Sequence, residues 1–143
     1  MPRQGQITFL TPQTMKTNLR LSGQVINPWP HLFTTAHYAK LVANGAEAQA
    51  RGDYDPKPVV KLFTPDGAAT WLLSDIYAGD PDIAFGLCDL GLGAPEAGDV
   101  SLVELSALRG KLGLPVERDR HFTPTKTLRE YTNEAQDLGR IQA

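Results

Sequence analysis

The stretch from Val100 to Asp119, V-S-L-V-E-L-S-A-L-R-G-K-L-G-L-P-V-E-R-D, constrains the fold most, because a helix start, a helix stop and a following strand succeed one another there. Ser101 precedes an apolar run and has Glu104 three residues on. In that capping box the hydroxyl accepts from the backbone of the first turn and the carboxylate reaches back to the cap. Leu102, Leu105, Leu108 and Leu112 follow at near-helical spacing, which predicts one apolar face. Arg109 falls in the last turn, where a cation suits the helix dipole. Gly110 is placed to end the helix in the left-handed conformation, and Gly113 and Pro115 prevent its resumption. Val116 to Phe122 then reads as a strand. Alternation puts Val116, Arg118, Arg120 and Phe122 on one face and Glu117, Asp119 and His121 on the other.

A β-meander leads into that unit. Val59 to Thr64 and Thr70 to Tyr77 read as a hairpin about Pro65-Asp66-Gly67, with proline presetting one turn residue and Gly67 supplying a positive dihedral. Asp82 to Leu90 reads as a third, buried strand. Gly91 to Gly98 reads as a loop, and Asp99-Val100 as a short strand. Upstream, Thr34 or Thr35 caps a helix over about 37–51, with Gly45 as an internal weak point. Downstream, Thr127 and Glu130 form a second capping box before Leu128, Tyr131, Ala135 and Leu138, with Gly139 near the end. Ile7 to Leu10 could form a strand and Thr14 to Leu21 a helix. The sum is an α+β fold: a small antiparallel meander of three to five strands packed with two or three helices. Residues 1–36 form a partly irregular N-terminal extension, and 37–143 a single domain.

The 143 residues suffice for one domain with its own core. No apolar run approaches the length that spans a bilayer. The first residues lack the basic-then-apolar pattern of a signal peptide, and Cys88 is alone, so a cytoplasmic location is expected and no membrane partner. The net charge of −2 conceals an asymmetry: +4 over residues 1–51, −8 over 52–104 and +2 over 105–143. The acidic middle argues against a nucleic-acid groove built from the central strands, and is compatible with a basic partner, a divalent metal or a set of solvated loops.

The run from Val60 to Phe122 resembles the DUF2958-type proteins, an uncharacterised bacterial domain family. The matching pieces are K-L-F-T-P at Lys61–Pro65, T-W-L-L at Thr70–Leu73, D-P-D-I-A-F-G-L-C-D-L-G at Asp80–Gly91, S-L-V-E-L at Ser101–Leu105, R-G-K-L-G-L-P-V-E-R-D at Arg109–Asp119 and H-F-T-P at His121–Pro124. The resemblance implies a short single-domain protein of plasmids and other mobile elements, with a family-like core over 59–124. It brings no established activity, although some members carry the label of single-stranded DNA endonuclease.

The leading polar constellation is Glu117, Arg118, Asp119 and His121, with Asp75, Asp89 and Asp99 as its prospective neighbours. Two carboxylates and an imidazole on one strand face could hold a divalent metal, as phosphodiester cleavage requires, so Glu117, Asp119 and His121 are the catalytic candidates and Glu117 and Asp119 the metal candidates. Against this, a charged strand face is normally solvated, and Arg118 could pair structurally with Glu104 or Asp75. Trp29, held between two prolines, is either packed on the core or an exposed anchor, and burial is the commoner outcome. Trp29, Asp75, Arg109 and Arg118 are the binding candidates. His31 and His37 have no metal-spaced partners, and Cys88 reads as an inert buried thiol. The resulting expectation is a non-catalytic, protein-binding accessory factor of a mobile element, needing no cofactor and acting on a host-defence or DNA-transfer component. The alternative is a nuclease using Mg²⁺ or Mn²⁺, or a nucleic-acid-binding protein, built on Glu117 and Asp119.

Overall fold

The computed structural model describes residues 26–143. The strand expected at Ile7–Leu10 and the helix at Thr14–Leu21 lie outside them. Within them the order is α1 (Thr35–Ala50), β1 (Val60–Phe63), β2 (Thr70–Ile76), β3 (Ile83–Asp89), β4 (Glu96–Ser101), α2 (Leu102–Ala107), β5 (Glu117–Arg118) and α3 (Leu128–Leu138). The strands form one antiparallel sheet ordered β4-β3-β2-β1-β5. The fold is α+β, with the meander and three helices in the expected positions.

The sheet separates two apolar clusters. On one face, Val60, Leu62, Trp71, Leu73, Ile76, Ala84 and Val100 meet Tyr38 and Leu41 of α1, Leu102 and Leu105 of α2, and Trp29, Leu32 and Phe33 from the segment before α1. On the other, Leu72, Leu87 and Phe85 meet Leu128, Tyr131 and Ala135 of α3, with Phe122 and Ile141 at the margin. Trp29 is therefore a core residue. Its carbonyl accepts from Leu32 N and Phe33 N, both at 3.0 Å, and Asn27 closes the turn by accepting from Trp29 N and donating to Phe33 O.

The caps sit where the sequence places them, although at Ser101 only the hydroxyl half of the expected box is made. Thr34 Oγ1 accepts from His37 N at 3.0 Å, Ser101 Oγ from Glu104 N at 3.2 Å, and Thr127 and Glu130 make the full reciprocal box. Gly139 ends α3 at φ 78°. Gly45, the weak point by propensity, is where α1 touches the sheet: a Cβ there would lie 1.7 Å from Ile76 O. The glycine permits a helix–strand approach that no side chain allows.

Several expectations require correction. Helix α2 stops at Ala107 because Leu108 turns extended (φ −65°, ψ 138°), not because Gly110 adopts a left-handed conformation. Arg109 follows that stop and donates to Leu108 O at 2.9 Å. Gly110 serves a close approach instead, since a Cβ there would fall 1.7 Å from Asp66 Oδ1. Asp66 reaches from the β1–β2 turn to accept from Leu112 N at 2.7 Å and Leu114 N at 3.4 Å, pinning the loop after α2. With the helix shortened, Leu108 and Leu112 are exposed rather than buried. Gly67 is not among the glycines with positive φ. The last strand holds two residues rather than seven, and β4 begins at Glu96, inside the expected loop.

Candidate functional site

The Glu117–His121 group sits at the β5 edge. Arg118 pairs with Leu62 and Glu117 with Phe63. Asp119 N still bonds to Lys61 O at 2.9 Å, and the chain then turns, with Phe122 N bonding to Asp119 O. The regular strand stops at Arg118, yet Glu117, Arg118, Asp119 and His121 line one open hollow of about 530 Å³ with Lys61 and Phe63. The Asp119 carboxylate is engaged on both oxygens: Oδ1 accepts from His121 N at 2.9 Å, and Oδ2 lies 3.5 Å from Lys61 Nζ. Lys61 in turn donates to Ala143 O at 2.7 Å, which ties the C-terminal residues to β1. Among the described residues no group of three or more His, Cys, Asp or Glu is placed to hold a metal ion.

The three aspartates expected beside this group are elsewhere. Asp99 is on β4, at the opposite edge of the sheet, where its carboxylate accepts from Tyr77 Oη. Burial and that bond push the Tyr77 phenol up to about 12. Asp89 closes β3, accepting from Gly91 N at 2.8 Å and Ile141 N at 2.9 Å, which makes it a structural clamp. Arg118 forms no ion pair with Glu104 or Asp75, and lies instead near His37 of α1. Burial and the Arg118 charge hold the His37 imidazole below its ordinary value.

Asp75 is the most unusual acid in the chain. The β2–β3 register is Leu72↔Leu87, Leu73↔Gly86, then Asp75↔Phe85 and Ile76↔Ala84, so Ser74 is an extra residue, a β-bulge. Strict alternation would send Asp75 into the α1 core with Leu73. The bulge sends Ile76 there and turns Asp75 to the α3 face beside Phe85. Asn44 of α1 donates to Ser74 O at 2.9 Å, which satisfies a carbonyl the bulge disturbs, and Tyr54 Oη donates to Asn44 Oδ1 at 3.0 Å. Ser74 Oγ donates to Asp75 Oδ1 at 2.6 Å. Asp75 is only 5% exposed, and burial pushes its carboxyl above the ordinary value against the pull of that bond. It lines a hollow of about 270 Å³ with Tyr54, Phe85, Leu128, Arg129 and Thr132, and a second cleft near Gly45 and Tyr77.

A third feature lies at the opposite edge of the sheet. Strand β4 is a terminal strand, paired only with β3 among the described residues. Beside it, Trp71, Cys88, Leu90, Leu105 and Leu108 line a groove of about 450 Å³ whose acidic members are Glu96, Asp99 and Glu104. Leu90 is 59% exposed and Leu108 39%. Leu92 and Leu112, in the loops after β3 and α2, are also exposed. Burial pushes the Cys88 thiol up to about 11, so it stays protonated and acts as an apolar wall. The available signal was leucine inside glycine turns, Leu90-Gly-Leu-Gly and Leu112-Gly-Leu, where no regular element could bury it. Of the nominated binding residues, Asp75 lines a hollow, Trp29 is in the core, Arg109 caps α2 and Arg118 flanks His37. The structure brings no two of them into one site.

The chain matches the family described as protein of unknown function (DUF2958) over residues 32–142. With most of its length matched, the chain belongs to that family. No curated protein and no solved structure matches it. No helix among the described residues is long and apolar enough to cross a membrane.

Proposed function

We propose that this member of an uncharacterised family is a protein-binding accessory domain that receives an extended segment of a partner along β4. The observation that carries the reading is the six-residue terminal strand with an apolar groove at its side. A terminal strand offers a row of backbone donors and acceptors, and natural edges are usually blunted by lysine, proline or a covering element. Here the strand is E-A-G-D-V-S, without lysine or proline, and leucines are exposed beside it. Strand addition takes its affinity from main-chain hydrogen bonds and its specificity from side-chain pockets. Glu96, Asp99 and Glu104 favour a segment carrying Lys or Arg between apolar residues. The mobile-element setting implied by the family resemblance makes a host-defence or DNA-transfer component the partner class.

The test is co-purification of the full chain with host proteins, compared with a Leu90→Glu/Leu108→Glu variant. A protein retained by the wild type and lost by the folded variant supports the reading. Equal retention by both, or retention of nothing, sinks it. The alternative of a Mg²⁺- or Mn²⁺-dependent nuclease using Glu117, Asp119 and His121 has less support, because Asp119 is already engaged by Lys61 and the His121 backbone. DNA and RNA cleavage assays with either metal address it, with Glu117→Ala and Asp119→Ala separating intrinsic activity from contamination.

A further inference from the structure

The hollow on the α3 face carries an inference independent of the β4 edge. A carboxylate nearly removed from water is costly unless it is paired. Asp75 is 5% exposed, and the hydrogen bond it receives comes from the neutral Ser74 hydroxyl. No Lys or Arg among the described residues forms an ion pair with it. The bulge at Ser74 turns this carboxylate out of the α1 core, yet not into open solvent: it faces a lined space.

The walls of that space narrow the ligand. Tyr54 and Phe85 supply aromatic surface, Leu128 an aliphatic floor, and Thr132 a hydroxyl that donates to Leu128 O at 2.8 Å. At about 270 Å³ the hollow is below the usual size of sites for whole small molecules, so it suits a single head group. A flat cation that can hydrogen-bond a carboxylate in its plane and lie against aromatic rings satisfies both demands. Tyr54 already accepts such a group, with Arg51 Cζ 5.3 Å from its ring centroid. Arg129 is at the lining too, but its side chain is exposed and its backbone N–H is bound to Asp55 Oδ1 at 3.0 Å.

We propose that the hollow bounded by Asp75, Tyr54, Phe85 and Thr132 is a receptor site for a guanidinium group, presented by an arginine side chain of a partner protein. Asp75 supplies the charge and the acceptor atoms. The rings supply stacking surface, and Leu128 and Thr132 of α3 form one wall of the hollow.

An NMR titration of the full chain with N-acetyl-arginine amide tests this. Saturable shifts are expected at the backbone amides of Ser74, Asp75 and Thr132, with affinity of about millimolar for so small a ligand. N-acetyl-citrulline amide, which has the same shape without the charge, should bind at least tenfold more weakly. Asp75→Asn should weaken arginine binding at least tenfold, and so should Thr132→Phe, which fills the hollow and keeps the carboxylate. The Leu90→Glu/Leu108→Glu variant should bind as the wild type does, so failure here and failure of the docking edge are separable. Equal binding of citrulline, wild-type affinity in folded Asp75→Asn or Thr132→Phe, or no saturable shift would each overturn the site. Tighter binding of agmatine than of the peptide-like arginine would overturn the protein source in favour of a free guanidinium metabolite.

Discussion

The two faces of the sheet differ in how closely a helix approaches them. On the α1 face the helix presses on β2 through Gly45, with no room for a methyl group, and Tyr38, Leu41, Leu62 and Leu73 are fully enclosed. On the α3 face a smaller cluster around Leu72, Leu87 and Tyr131 leaves a hollow, and the bulge directs a carboxylate to it. Close packing gives stability but leaves nothing for a ligand to enter. Clefts border the α1 face as well, beside Gly45 and along β4, so what sets the α3-face hollow apart is the buried carboxylate in its wall rather than the presence of space. A buried, perturbed carboxylate lining a cleft is the kind of feature that functional sites use.

The largest expected effect comes from closing the tight contact. Gly45→Ala should lower the unfolding free energy by about 3 kcal/mol, because α1 must lift from β2 to accommodate the new carbon. Gly98→Ala, where a Cβ meets nothing within 4 Å, should change it by less than about 0.5 kcal/mol. Urea denaturation measures both, and equal effects would break the contrast between contact and room.

Leu128→Ala, on the hollow's wall, should cost about 2 kcal/mol, near the low end for such truncations, because the existing space lets neighbours relax. A cost near 5 kcal/mol would mean that the α3 face is packed as rigidly as the other. Asp66→Ala should cost about 1.5 kcal/mol by leaving Leu112 N and Leu114 N without their acceptor, and should loosen the loop after α2 in amide exchange.

The smaller effects depend on pH. Burial raises the Asp75 carboxyl, so the folded chain holds that proton more tightly than the unfolded chain. Stability from this group is present below the ordinary value of 3.8 and is lost as pH rises through the raised folded value. Asp75→Asn should therefore have a higher urea midpoint than wild type at neutral pH, and the two should converge below pH 3.8. His37 works in the opposite sense. Burial first, and Arg118 second, favour its neutral form, so its contribution is present above 6.5 and is lost as pH falls through the lowered folded value. The His37 ring signal should titrate below 6.5, and Arg118→Gln should move it only part of the way back.

Much of the fold was legible because its signals are short-range. Thr34, Ser101 and the Thr127–Glu130 pair cap helices through bonds spanning three residues, and Gly139 ends α3 through its own backbone. The hairpin and the third strand were readable from apolar runs between turns. The candidate site was less legible. Alternation suggests Glu117, Asp119 and His121, and they do border one hollow, but β5 ends after Arg118 and a turn at Asp119 rather than strand alternation places His121 there. The setting of Asp75 is not legible in T-W-L-L-S-D-I, because a bulge leaves no local mark there. The β4 groove was missed because the spacing of Leu105, Leu108 and Leu112 suggested a longer buried helix than the chain forms.

The sequence by itself determined the order of the elements, their caps and the α+β class, since each depends on hydrogen bonds and apolar spacing within a few residues. Only the tertiary structure decided the strand order that separates Asp99 from Glu117 and the register shift that turns Asp75. It also decided the contacts that require Gly45 and Gly110. Those features rest on Ile76 O, Asp66 and Phe85, which are distant along the chain: the Gly45 contact forms when α1 docks on β2, the Asp75 register when β2 pairs with β3, and the Gly110 contact when the loop after α2 meets the β1–β2 turn.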